Sequence, residues 1–209
     1  MKKIILSAAA LFVFGFASAQ DKTETTEGGK GFANGDIFVT GSVGFTSEST
    51  GDFKSNSFNI TPMVGFMVSD NIAIGGMLGY MSETSDQDLS GEGDVFEVKT
   101  NTFSIGAFGR YYATPASDFS FFGQASFAYL TSSTEIDFPG SEEAKSTGFG
   151  LEIAPGVSYF IGSNWAIEAT IGALSYNTVK PDGDDAESTD TFGLNLNLQD
   201  INLGLVYKF

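Results

Sequence analysis

Four charged side chains interrupt segments that otherwise alternate apolar with small polar residues: Arg110, Glu152, Glu168 and Lys208. Two carboxylates can do general acid–base work when their surroundings keep one protonated and the other ionised, and Glu152 with Glu168 is the inward pair available for it. The companions of such chemistry are missing. The chain has 0 His and no Cys, hence no imidazole base near neutrality and no thiol nucleophile. The four charges therefore read as a structural network. An unpaired charge in a narrow interior is costly, so mutual pairing is expected, with Glu168 held by Lys208 or Arg110. No enzymatic activity and no cofactor are expected.

Two other spacings suggest ligand chemistry. Asp86, Asp88, Ser90, Gly91, Glu92, Asp94 and Glu97 stand at positions 1, 3, 5, 6, 7, 9 and 12 of a calcium EF-hand loop. Strand-like rather than helical segments flank them, and Gly93 takes the usually aliphatic eighth position, so a solvated acidic loop is expected and no metal site. Gly28-Gly29-Lys30-Gly31 has the glycines of a phosphate loop without its spacing, strand or helix, and reads as linker. The balance of 26 acidic against 10 basic residues argues against nucleic acid, whose phosphates need a basic surface.

The elements that must carry these residues show a period of two. Ile37, Val39, Val43 and Phe45 share one face of a first strand. Phe58, Ile60, Val64, Phe66 and Val68 do so in a second, and Ile72, Ile74, Leu78 and Tyr80 in a third. The fourth aligns Phe103, Ile105, Ala107 and Tyr111, and the fifth Phe119, Phe121, Ala125, Phe127 and Tyr129. The sixth aligns Phe149, Leu151, Ile153, Val157, Tyr159 and Ile161, and the seventh Trp165, Ile167, Ala169 and Ile171. The eighth changes parity: Phe192, Leu194, Leu196 and Leu198 are even, whereas Ile201, Leu203, Leu205, Tyr207 and Phe209 are odd. A β-bulge near Gln199-Asp200 would supply the change; two shorter strands with a break are the alternative.

Short connections (Ser69–Asn71, Ala113–Asp118, Gly162–Asn164) alternate with long ones (Ser47–Ser57, Ser82–Val98, Thr131–Thr147, Thr178–Asp190). That alternation suits a barrel with one end in the periplasm and the other outside the cell. The two faces exclude a soluble sandwich, whose outward face would be polar and charged. Here the polar face is small and mostly uncharged, and the apolar face is aromatic near strand ends, at Tyr80, Tyr111, Tyr129, Tyr159, Trp165 and Tyr207, as at a lipid headgroup boundary.

The N-terminus has the order of a secretory signal peptide: Lys2-Lys3, an apolar run from Ile4 to Phe16, then Ala17-Ser18-Ala19. Thirteen residues rise about 20 Å as a helix, short of the roughly 30 Å of hydrocarbon. The expected organisation is a signal peptide over 1–19, a flexible polar leader over 20–35 and one closed antiparallel barrel of about eight up-and-down strands over 36–209. Stability without cysteine must come from hydrogen-bond closure and apolar burial.

Tyr159-Phe160-Ile161-Gly162-Ser163-Asn164-Trp165-Ala166-Ile167-Glu168 resembles the strand–turn–strand segment of the OmpA/OmpX-like outer-membrane β-barrel family. Leu203-Gly204-Leu205-Val206-Tyr207-Lys208-Phe209 resembles that family's C-terminal assembly signal, with Tyr207 and the final Phe209 as its aromatic residues. The resemblance spans about Asp36 to Phe209. It implies a Gram-negative outer membrane, insertion by the barrel assembly machinery, contact with outer-membrane lipid and a monomer. The sequence departs from two-domain OmpA proteins in that no peptidoglycan-binding domain is expected after Phe209. Eight strands enclose an interior that side chains fill, so a wide diffusion channel is not expected. The acidic loops remain as the surface for an external ligand, in envelope or adhesive roles. A small porin is the alternative, and an enzyme acting on lipid or peptide a more distant one.

Overall fold

The computed structural model describes residues 29–51, 53–88, 95–138, 140–171, 173–183, 186–195 and 201–209. All its regular elements are strands: β1 (Ile37–Thr50), β2 (Phe53–Met67), β3 (Ile72–Asp88), β4 (Val95–Tyr112), β5 (Phe119–Ile136), β6 (Ala144–Phe160), β7 (Trp165–Ile171), β8 (Ala173–Pro181), β9 (Thr189–Asn195) and β10 (Ile201–Lys208). Antiparallel pairing runs from β1 through β6 in order, then to β7, to β10 and back to β1, a closed ring of eight strands with β8 and β9 outside it. Closure removes the free edges that a bilayer cannot hydrate.

Alternation sets the two faces. Ile105, Tyr111, Phe121, Ile153, Ile161 and Leu205 are each more than half exposed on the outside, whereas Phe38, Phe108, Arg110, Tyr112 and Glu168 point inward and are buried. The outward apolar positions run from Phe103 to Tyr111 on β4 and from Phe119 to Tyr129 on β5. That is the length of about 9–11 residues that a tilted strand needs to cross a membrane. Beyond Tyr129 the strand continues as Thr131-Ser132-Ser133-Thr134-Glu135, so it leaves the apolar layer without losing its ladder.

This continuation corrects the expected loops. Ser47–Ser57 is almost wholly strand, with Thr50 paired to Phe53. Glu83, Asp86 and Asp88 lie on β3 and Glu97 on β4, with Asp86 directly opposite Glu97. The first and last positions of the EF-hand spacing are thus rungs of one ladder, while residues 89–94 lie outside the described ones. Among the described residues no acidic group of three or more is arranged to hold a metal.

Parity changes twice, once more than expected. Gly156 pairs with Thr170, yet Ile153 pairs with Leu174 rather than with residue 173, so one extra residue separates β7 from β8 and the outward positions switch from odd to even. On the adjoining pair, Ala173 meets Asn195 while Ile171 meets Ile201, four residues further than a continuous register would place it. Phe192 and Leu194 face outward before this step, and Leu203 and Leu205 after it. The parity change expected near Gln199-Asp200 separates two strands, β9 ending at Asn195 and β10 starting at Ile201, and residues 196–200 lie outside the described set.

Cysteines placed singly at Phe58, Ile60, Phe121, Ile153, Ile167 or Leu205 are expected to resist a water-soluble, membrane-impermeant thiol reagent in the folded, lipid-embedded protein. Ready labelling at these positions would contradict the outward, lipid-facing assignment.

Candidate functional site

The end of the barrel that carries the short turns is filled. Phe38, Met67, Phe108, Tyr112, Phe122, Phe160 and Val206 form one buried core there. Its sequence signal is a pairing of inward aromatics with inward glycines: the Phe38 ring occupies the space where Gly65 would carry a side chain, and Phe122 does the same over Gly156. Sequence reading saw the inward face as small and polar and missed this aromatic layer, which required knowing which glycine lies opposite which ring.

Arg110 and Glu168 cross the barrel within that layer. Arg110 Nη1 lies 2.8 Å from Oε1 and 2.8 Å from Oε2 of Glu168. Its Nε donates to Gln124 Oε1 at 2.8 Å and its guanidinium sits 4.4 Å from the Phe122 ring centroid. Tyr112 Oη and Thr40 Oγ1 also donate to the Glu168 carboxylate, at 3.3 and 3.4 Å. Each charge thus meets several partners away from water, the condition under which a buried pair is tolerated.

Lys208 does not join them. Its ammonium donates to the backbone carbonyl oxygens of Gly31 at 2.6 Å and Gly29 at 3.3 Å, and approaches Asp36 at 3.5 Å. It fastens the end of the polar leader, whose Phe32 is only 2 % exposed and packs its ring about 5 Å from those of Phe38, Tyr112 and Phe160. Gly31 permits this docking. Its φ of +101° suits glycine, and a Cβ would stand 2.5 Å from the Pro115 carbonyl oxygen. Lys30 adds an exposed pair with Asp118 at 3.0 Å, and that hydrogen bond raises its pKa above the ordinary lysine value. Residues 29–35 of the expected flexible leader are therefore anchored, and the signal-peptide segment lies outside the described residues.

Glu152 stands apart from the network. It faces Ser126 across the β5–β6 ladder and lines two adjoining cavities of about 310 and 520 Å³ in the remaining lumen, among hydroxyl, amide and glycine positions. Among the described residues it makes no ion pair. Glu168, which is committed to Arg110, lines the smaller of these cavities together with Glu152. Tyr207 packs edge-to-face with Trp165 at 4.8 Å and with Phe209 at 5.0 Å on the outer surface, and the Phe209 N–H donates to Ile37 O.

A closed ring with an apolar, aromatic-rimmed exterior, a sealed base and polar strand extensions defines a transmembrane barrel of the outer-membrane class. The profile of the family described as "Outer membrane protein beta-barrel domain" matches residues 7–209, and the chain belongs to that family, which implies an outer-membrane location. Among solved structures it is similar to Neisserial surface protein A at 17% identity, covering 83% of this chain and 97% of that one with a TM-score of 0.50. It is also similar to OprG from Pseudomonas aeruginosa, at 15% identity over 86% of this chain and 98% of that one, TM-score 0.49. Ail of Yersinia pestis gives 15% identity over 84% and 99%, TM-score 0.42. At these identities the likeness shows the fold alone. No curated protein sequence matches the chain.

Proposed function

We propose that the protein is a non-enzymatic, non-conducting barrel that acts through the face it presents outside the cell, in envelope integrity or surface interaction. The observation that carries this reading is the sealed base. Phe32, Phe38, Tyr112, Phe122 and Phe160 fill the barrel cross-section around Arg110 and Glu168, so the lumen above is blind at the end where the short turns lie. With residues 29–35, the end of β10 and the short turns at one end of the barrel, taken as periplasmic, the long hairpins project outward as a polar, acidic crown. Refolded protein in planar bilayers is expected to give no stable single-channel currents, while shortening the β3–β4 or β5–β6 hairpin alters surface binding without unfolding the barrel. Reproducible open channels that vanish when Arg110 or Glu152 is altered would replace this reading with a small porin.

Insertion of the chain by the barrel assembly machinery belongs to the same proposal, with Tyr207 and Phe209 as its recognition residues. Their rings lie on the outer surface and contribute nothing to the buried core, which leaves them free for recognition. Deleting Phe209 should lower the outer-membrane yield in cells severalfold while leaving refolding in detergent intact. Normal yield with normal heat-modifiable gel mobility would remove the idea.

A further inference from the structure

Inward glycines do two different things along this barrel. At the base aromatic rings lie over them and fill the section, Phe38 over Gly65 and Phe122 over Gly156. Higher up only small polar groups do so, the Ser104 hydroxyl over Gly79 and the Asn177 amide over Gly150, and the section stays open as the cavity of about 520 Å³. The walls of this cavity come from β2 to β6 and from β8. Glu152 enters it between Ser126 of β5 and Ser175 of β8, its direct neighbours on the two adjoining strands. Met77 and Met81 of β3 and Leu130 of β5 give the same cavity an apolar wall.

We propose that this cavity binds a small organic cation, a primary ammonium carried on an apolar body the size of one aromatic ring. The sign follows from the charges. Arg110 and Glu168 neutralise each other and Lys208 is shared between the leader carbonyls and Asp36, so among the described residues Glu152 is left without a cation. A carboxylate drawn partly out of water with no counter-charge is costly, and a bound cation relieves that cost. An ammonium offers three donors, which the Glu152 carboxylate and the flanking Ser126 and Ser175 hydroxyl oxygens can accept. The body follows from the volume and the wall. The cavity falls within the range of small-molecule sites, and a bare inorganic ion would leave its methionine and leucine surface uncovered, where a ring buries it. The inference rests on the sealed base of the proposed function: a ligand that enters from the outer end leaves by it, so the site captures without transporting.

The methionines supply the readout. After Met1 the chain has Met63, Met67, Met77 and Met81, of which Met77 and Met81 line this cavity while Met67 is sealed in the base. In protein labelled with carbon-13 at the methionine methyls and held in phosphatidylcholine nanodiscs, phenylethylammonium is expected to shift the Met77 and Met81 signals saturably and to leave Met67 unchanged. Glu152→Gln, which removes the charge and keeps the shape, should weaken binding about tenfold or more, the loss expected for one charge-assisted contact. Ala128→Lys sets a fixed ammonium diagonal to Glu152 across the β5–β6 ladder, within reach of a long side chain. It should suppress the saturable shifts while heat-modifiable gel mobility shows the barrel folded. Equal affinity for 3-phenylpropionate or for ethylammonium, the same shifts with potassium alone, or full affinity in Glu152→Gln would each overturn the proposal. Conductance in planar bilayers is a separate measurement, so a failure here leaves the non-conducting reading standing.

Discussion

Glu168→Gln is expected to destabilise the folded barrel by about 3 to 5 kcal/mol, the cost of removing one member of a buried ion pair and stranding the other. Neutralising the carboxylate leaves Arg110 charged, nearly fully buried and still ringed by the Phe108 and Phe122 faces. Gln124 and Tyr112 contribute hydrogen bonds but no compensating charge. Arg110→Met should cost a similar amount for the converse reason, since Glu168 would retain only neutral donors. The double variant Arg110→Met with Glu168→Gln should be less destabilised than the sum of the two, because neither charge is left alone. Urea unfolding in lipid or detergent, followed by heat-modifiable gel mobility, measures all three. A Glu168→Gln protein as stable as its parent would show that the bridge contributes nothing or is reached by water.

The sequence displayed the outer face of this fold more fully than its interior. Lipid imposes one requirement on every outward position, so the apolar alternation in Phe119, Phe121, Phe127 and Tyr129 could be read without knowing any neighbour. Inward positions answer to whatever lies across the barrel. That Phe38 fits over Gly65, or that Glu168 selects Arg110 and leaves Lys208 to the leader, depends on pairs 27 to 177 residues apart in the chain. Charge and facing limited Glu168 to two partners and could not choose between them. The hairpins were misread for a related reason. Ser, Thr and Glu at Thr131–Glu135 look like loop composition, yet in water beyond the bilayer a polar strand with two paired neighbours needs no apolar face.

Phe32→Ala is expected to remove about 3 to 5 kcal/mol of packing if the leader stays docked, the usual cost of emptying a buried phenylalanine site. The leader has an alternative that a core strand lacks. It is held by the Phe32 ring, by the Phe32 N–H to Pro115 O bond of 2.7 Å and by the Lys208 clamp, so once the ring is lost it can detach and leave the ring of eight strands intact. The measured loss is therefore capped by the free energy of docking. Lys208→Met, which cuts the clamp, should add little to Phe32→Ala, because both act on the same detachment. Limited proteolysis separates the outcomes: the leader near Lys30 becomes cleavable in Phe32→Ala while the barrel remains resistant. Detachment is not expected to open a pore, since Tyr112, Phe38, Phe122 and Phe160 with the Arg110–Glu168 bridge still span the interior. Phe32→Ala protein that conducts in planar bilayers would identify the leader as the plug and make its docking a gate, whereas unchanged stability and an uncleaved leader would mean that Phe32 packs without holding anything.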